Sequence, residues 1–319
     1  MNLTLGDSNV TVRVTYHDTL FTTVGRNVTV VILGITINYI NATMLHTFNK
    51  HRIFKLNARY ILFIHLVFND MIQLTTSIFL YILATVFNTI YVSFCVLIII
   101  PAILTTLNTP LNLAFMAAEC YIAVCVPLRY NYICTVRRTY IVIAVIWTVS
   151  SLSVLPDVFI LLATEPLQFL NSQAYCSRDT VFRSTYSLKK RDASHILCLV
   201  VVWFTLFYTY IRIMFAAKAA NADAKKTRNT LLLHGFQVLL CMMVYVQPML
   251  FQVLTNLFPG EEKSVYLLCM YVTFVIIQIL PCFASPIVYG LRDKTFRKYF
   301  KRYFFCTITI NTQTNRTKK

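Results

Sequence analysis

Acidic residues are few in this sequence: 12 Asp and Glu stand against 29 Lys and Arg, a formal net charge of +17. Charged residues of both signs fill only 13% of the chain, roughly half the share in a typical soluble domain. Glycine is also scarce, with six in all, and neither G-x-G-x-x-G nor G-x-x-x-x-G-K-[ST] occurs. A glycine-rich backbone cradle for phosphate is therefore missing, and with it the dinucleotide and P-loop chemistries it serves. H-E-x-x-H and G-x-S-x-G are absent too, which removes the zinc-hydrolase and serine-hydrolase readings those motifs carry. Neither an enzymatic activity nor a cofactor or metal is expected, sodium or water beside one buried acid excepted. What the chain has instead is apolar residues, 57% of it, a composition that points to an integral membrane protein.

Seven apolar runs are long enough to cross a bilayer, which takes roughly 20 residues. They are Val28–Phe48, Tyr60–Phe87, Phe94–Val126, Thr139–Leu162, Ser194–Ala217, Thr230–Phe258 and Ser264–Leu291. Met1 to Asn27 is polar and lacks the layout of a cleavable signal peptide. Twenty of the 29 basic residues fall in Asn49–Arg59, Pro127–Arg138, Lys218–Asn229 and the tail from Arg292, while the short loops Asn88–Ser93 and Pro259–Lys263 hold one between them. By the positive-inside rule the amino terminus lies outside and the carboxyl terminus inside. The charge then serves the anionic inner leaflet and inner partners, not nucleic acid. Asn2-Leu-Thr and Asn9-Val-Thr are glycosylation acceptors on the outer tail. Of ten cysteines only Cys95 and Cys176 fall where they meet oxidising solvent. One disulfide pinning the outer loop Ala163–Ala193 over the bundle is expected, two free thiols being the alternative.

A charge inside a span is costly, by at least ~2.5 kcal/mol, so each is a functional candidate. Asp70 is the deep one, and Asn41 on span one lies at similar depth. Asp157 and Arg212 sit toward span ends, within reach of the interface. Glu119 ends span three, and its neighbours three and four residues away, Phe115, Met116, Ile122 and Ala123, include no base. A helical ion pair is therefore excluded. The expected partner is the basic second inner loop, with Arg129, Arg137 and Arg138, and His234 is the runner-up; a solvated acid without a switching role is the alternative. Prolines interrupt several spans, and Pro281 with Pro286, near Ser285 and Tyr289, weakens the inner end of span seven.

These features together resemble the rhodopsin-like G-protein-coupled receptors. MAAECYIAVCVPLRY, Met116 to Tyr130, resembles the odorant-receptor signature MA-x-[DE]-RY-[VI]-A-[IV]-C-x-PLRY. PCFASPIVYGLR, Pro281 to Arg292, resembles that family's P-x-x-NPIIYG-x-R, and KKTRNTLLLHGFQ resembles its basic lead into span six. RYILFIHLVFNDMIQL, Arg59 to Leu74, is most similar to fish-type odorant receptors. Two departures lie in the switching machinery: Cys120 stands where the family commonly carries Arg, and Ser285 where it carries Asn.

The resemblance implies an all-α membrane protein, a seven-transmembrane-helix bundle with a short amphipathic eighth helix on the cytoplasmic face. Residues 1–27 form the extracellular tail, 28–291 the membrane domain and 292–319 the amphipathic helix and cytoplasmic tail. It implies a plasma-membrane receptor whose partners are a small-molecule odorant, a heterotrimeric G protein that raises cyclic AMP, and membrane lipids. Resemblance and helical spacing place the ligand pocket at Ala102, Ile103, Thr106 and Leu107 on span three and Cys198 on span five. Met249, Gln252 and Val253 on span six, with Val275 and Gln278 on span seven, complete it. The polar switch is Asn41, Asp70, Ser285, Pro286 and Tyr289, with sodium or water at Asp70. The G protein faces Glu119, Cys120, Tyr121, Arg129, Tyr210 and His234. An opsin is excluded because Ser264–Leu291 has no lysine for a retinal Schiff base, and an amine receptor because Ile99 to Thr106 has no acid. Phe296, Tyr299, Phe300 and Tyr303 share one face of the helix after span seven, and Cys306 at its end is a palmitoylation candidate. The rival from another class is a proton-coupled transporter, which also uses intramembrane charge and broken helices.

Overall fold

The computed structural model describes residues 5–87, 89–219, 235–237, 239–240, 242–243, 263–287 and 293–314. Side chains are described over 21–87, 89–216, 268–287, 293–304 and the same short pieces between 235 and 243. In chain order the elements are α1 (Leu5–Lys50), α2 (Arg52–Lys55), α3 (Ala58–Val86), β1 (Ile90–Tyr91), α4 (Val92–Cys125), α5 (Pro127–Ile133) and α6 (Val136–Thr164). There follow α7 (Leu167–Leu170), β2 (Gln173–Ala174), α8 (Arg178–Val181), α9 (Thr185–Ala219) and α10 (Lys263–Phe274). A π-helical turn, Val275–Ile279, joins α10 to α11 (Leu280–Ser285), and α12 (Lys294–Thr314) comes last.

Among the described residues, six helices are long and apolar enough to cross a membrane. They match six of the seven apolar runs; the remaining run, Thr230–Phe258, lies mostly outside the described residues. The helix ends are set by hydrogen bonds that hydropathy does not see. Asn57 caps α3 by accepting from the Arg59 amide, and Thr135 caps α6 through Arg138. α9 begins at Thr185, ahead of the apolar residues of its span, because the polar stretch before Ser194 still makes backbone turns, Leu188 N to Ser184 O among them at 3.1 Å. α1 likewise starts at Leu5, well before Val28.

The bundle inverts the surface of a soluble protein. Ile35, Leu97, Leu152, Phe159 and Phe204 point outward and are exposed. A continuous apolar exterior of this kind is unfavourable in water and is matched by hydrocarbon. Inside, one apolar cluster gathers around Cys95, Ile99, Ile103 and Leu107 at one end of α4. A second joins Met44, Phe54, Leu113, Met116 and Phe296 toward the other end. A third packs Val30, Leu74, Tyr81 and Phe274. α1 and α3 approach closely at Gly34, where an added Cβ would collide with the Ile78 side chain. Before Pro281 the last spanning helix widens into its π turn, a distortion that suits a proline-interrupted helix.

Candidate functional site

At the Cys95 end of the bundle the segment between α6 and α9 is tied down three ways. Cys95 and Cys176 form a disulfide, and β1 pairs antiparallel with β2 in the register Ile90 to Ala174 and Tyr91 to Gln173. The third tie is charge. Asp157 is buried, not at the interface as its position near a span end suggests, and it pairs with Lys190 Nζ at 2.7 Å and Arg178 at 3.7 Å. Burial lowers the Arg178 pKa and Asp157 opposes the effect. Arg183 donates to Glu165, with its Nε at 2.7 Å, and lies over the Phe169 ring; Arg191 pairs with Asp179 and Asp192. Four of the five basic residues of Ala163–Ala193, namely Arg178, Arg183, Lys190 and Arg191, are thus paired with acids. A recess lined by Asp157, Leu161, Thr164, Phe182 and Ser187 lies beneath it.

Deeper in the bundle a polar ladder crosses the core. His65, Asn69, Gln73 and Ser77 repeat every four residues along one face of α3. The Trp147 indole on α6 donates to His65 Nε2 at 3.0 Å, so that nitrogen accepts and the ring proton sits on Nδ1. Asn108 on α4 donates to Asn69 at 3.4 Å, and Asn112 donates to the Leu62 carbonyl at 3.1 Å. Thr109 donates to Gln73, which donates to Gln278 of the π turn at 3.4 Å; Ser77 reaches the same Gln278 oxygen. Asp70 lies on the same helix, and the ladder beside it is written in the chain only as a four-residue spacing that hydropathy does not register.

Asn41, Asp70, Ser285 and Pro286 are all buried. Ser285 receives a hydrogen bond from Gln237 Nε2 at 2.8 Å, bonds the Pro281 carbonyl, and is a hydrogen-bond partner of Asp70. Ser285 therefore connects three helical segments, α3, the stretch holding Gln237, and α11. Tyr289 lies outside the described residues. Of the expected pocket, Ile103 and Leu107 belong to the apolar cluster around Cys95, and the Thr106 hydroxyl donates to the Ala102 carbonyl at 2.7 Å. Cys198 packs on the second cluster and Val275 on the third, so these expected pocket residues are spread over three clusters. Met249, Gln252, Val253 and His234 lie outside the described residues, as does the side chain of Asn9, all of Asn2 and the Cys306 thiol.

Glu119 is buried, and its partner is not an arginine of the second inner loop. Arg59 at the start of α3 donates to it twice, from Nε at 3.2 Å and Nη2 at 3.3 Å. The Tyr130 hydroxyl of α5 donates at 2.7 Å. The loop does contribute, but through a phenol rather than a guanidinium. The correction has a packing cause. α3 and α4 are consecutive, antiparallel and in contact, so the first residues of α3 lie beside the last turns of α4. Burial, then the Glu119 charge, raises the Tyr130 pKa and keeps the phenol protonated as a donor. Cys120 is half-buried beside this pair. Tyr121 faces Tyr208 of α9 at 6.0 Å between ring centres and hydrogen-bonds Arg212. Arg129 is exposed and Tyr210 half-buried.

The sequence pattern of the rhodopsin family of seven-transmembrane receptors matches residues 40–315. Odorant receptor 131-2 of Danio rerio is 32% identical over 284 residues, 88% of this chain and 86% of that protein. A QRFP-like peptide receptor of Branchiostoma floridae is 25% identical over 213 residues, 62% of this chain and 55% of its own length. Apolar spanning helices, a loop held by a disulfide, a polar core and these matches agree, and the chain belongs to the rhodopsin family of seven-transmembrane G-protein-coupled receptors.

Proposed function

We propose that this receptor binds a small-molecule odorant within the helix bundle and activates a heterotrimeric G protein of the stimulatory type, raising cyclic AMP. The observation that carries the reading is the 32% identity to a fish odorant receptor over 88% of the chain. The distribution of basic residues supports a plasma-membrane protein with residues 1–27 outside and 292–319 inside. The reading assigns the ligand to the outer halves of the spans, at Ala102, Ile103, Thr106 and Leu107 of α4, Cys198 of α9, and Val275 and Gln278 of the π turn. This set of residues is mostly apolar with a few hydrogen-bonding groups, as small-molecule sites are. Asp70 and Ser285 are oxygen donors of the kind a sodium ion or ordered water takes. The G protein meets the other end, at Glu119, Tyr121, Arg129 and Tyr210.

The test is expression in cultured cells with an odorant panel. Odorant-dependent cyclic AMP supports the reading. Accumulation of a radiolabelled compound without cyclic AMP supports a carrier, and silence to the panel with coupling to a different G-protein class replaces the stimulatory assignment.

A further inference from the structure

Pro281 and Pro286 carry no amide proton, so the turn between them is short of backbone donors. Gln237, from the sixth apolar run, brings donors from outside. Its side chain is fully buried, and Nε2 donates to the Pro281 carbonyl at 2.9 Å and to Ser285 Oγ at 2.8 Å. A carboxamide nitrogen carries a pair of protons, and here both find acceptors on one turn of α11. The Ser285 hydroxyl has a single proton, with the Pro281 carbonyl in reach at 3.2 Å and Asp70 of α3 as the other acceptor.

The two side chains are also matched in size. Asn, which the family commonly carries where Ser285 stands, is longer by an amide. That amide would enter the space Gln237 fills, since Gln237 and Ser285 are both fully buried. The carboxamide at this turn comes instead from the Gln237 segment.

We propose that Gln237 is a positioning residue of the activation switch: it supplies the carboxamide that Ser285 lacks and ties the sixth apolar run to α11 in the resting receptor. While Gln237 serves the Pro281 carbonyl, the Ser285 proton goes to Asp70 and α3 is held as well. When Gln237 withdraws, the carbonyl takes that proton and the bond to α3 is lost with it. A buried amide that only satisfied its own hydrogen bonds would not set which neighbour Ser285 holds.

The proposal rests on the reading that the receptor activates a G protein, and its test uses no odorant. Purified full-length receptor in phosphatidylcholine nanodiscs is mixed with a panel of purified heterotrimers. Basal exchange of a labelled GTP analogue is measured on whichever heterotrimer it engages, and thermal melting is read in parallel. Gln237→Met keeps the length of the side chain and removes the donors. It and Ser285→Ala should each raise basal exchange about ten-fold, equivalent to ~1.4 kcal/mol, and melt lower. Ser285→Asn alone should melt lower for want of space. Combined with Gln237→Ala it returns the carboxamide to α11, and both basal exchange and melting should come back toward those of the unchanged receptor. Where Gln237→Met does not fold, Ser285→Ala, which removes only a hydroxyl, decides. Lower melting with unchanged basal exchange assigns Gln237 a packing role alone and overturns the proposal. A double variant no closer to the unchanged receptor than Ser285→Asn overturns it too. The expected pattern in a receptor silent to every odorant supports the role of Gln237 and refutes the odorant reading by itself.

Discussion

Arg59→Ala removes the guanidinium from a carboxylate that stays buried. Glu119 is 6% exposed and the Arg59 side chain 52% exposed. A fully buried pair broken on one side loses about 3–5 kcal/mol and an exposed pair under about 1 kcal/mol. Half-exposure of Arg59 puts this pair between them, near 1.5 kcal/mol, with Tyr130 still donating to the carboxylate. The pair joins the start of α3 to the end of α4. If it restrains the resting state, its loss raises the ratio of active to resting receptor about ten-fold, since 1.4 kcal/mol is a factor of ten. The assay is basal cyclic AMP at matched surface expression. Arg59→Ala and Glu119→Gln should each raise the basal signal by up to that factor while leaving odorant affinity little changed. Arg59→Glu combined with Glu119→Arg should restore a quiet receptor. Unchanged basal signal in both single variants, or a double variant no quieter than either, refutes the restraint.

Cys95→Ser or Cys176→Ser should give poor surface delivery and lost response, because the disulfide spans 81 residues and its loop-closure contribution is about 4 kcal/mol; surface labelling and cyclic AMP read this. Asp157→Ala leaves Lys190 and Arg178 facing each other without their shared carboxylate, and a loss of about 2–3 kcal/mol should appear as a lower melting temperature of the purified receptor. Trp147→Phe removes the hydrogen bond to His65 and should lower stability by about 1 kcal/mol without abolishing surface expression. Glycosidase treatment should shift the mobility of the intact receptor and not that of a variant lacking Asn2 and Asn9; a shift that depends on Asn315 instead reverses the orientation. Cys120→Arg places a second guanidinium beside Glu119, and a stronger odorant response is expected in the same cyclic AMP assay.

The spans and the two cysteines that bond were legible in the sequence because each depends on local chemistry, and the family was legible through the resemblance of its long motifs. Apolar runs reveal spanning helices since a bilayer demands length and apolarity in one continuous segment. Cys95 and Cys176 stood out because the other cysteines fall where disulfides do not form. Helical spacing also showed that Glu119 had no partner on its own helix. Which element supplied that partner was a question of tertiary structure. Arg59 lies 60 positions away and is brought near only because α3 and α4 run antiparallel in contact. Asp157 looked interfacial because hydropathy counts residues along one helix, whereas the loop that folds back over it delivers Lys190 and Arg178 from elsewhere in the chain. The ladder from Trp147 through His65 to Gln278 was half written, as a four-residue repeat on α3. Its other half, the donors and acceptors from α4, α6 and the π turn, exists only once the helices pack, because pairing across a bundle depends on depth and rotation and not on distance along the sequence.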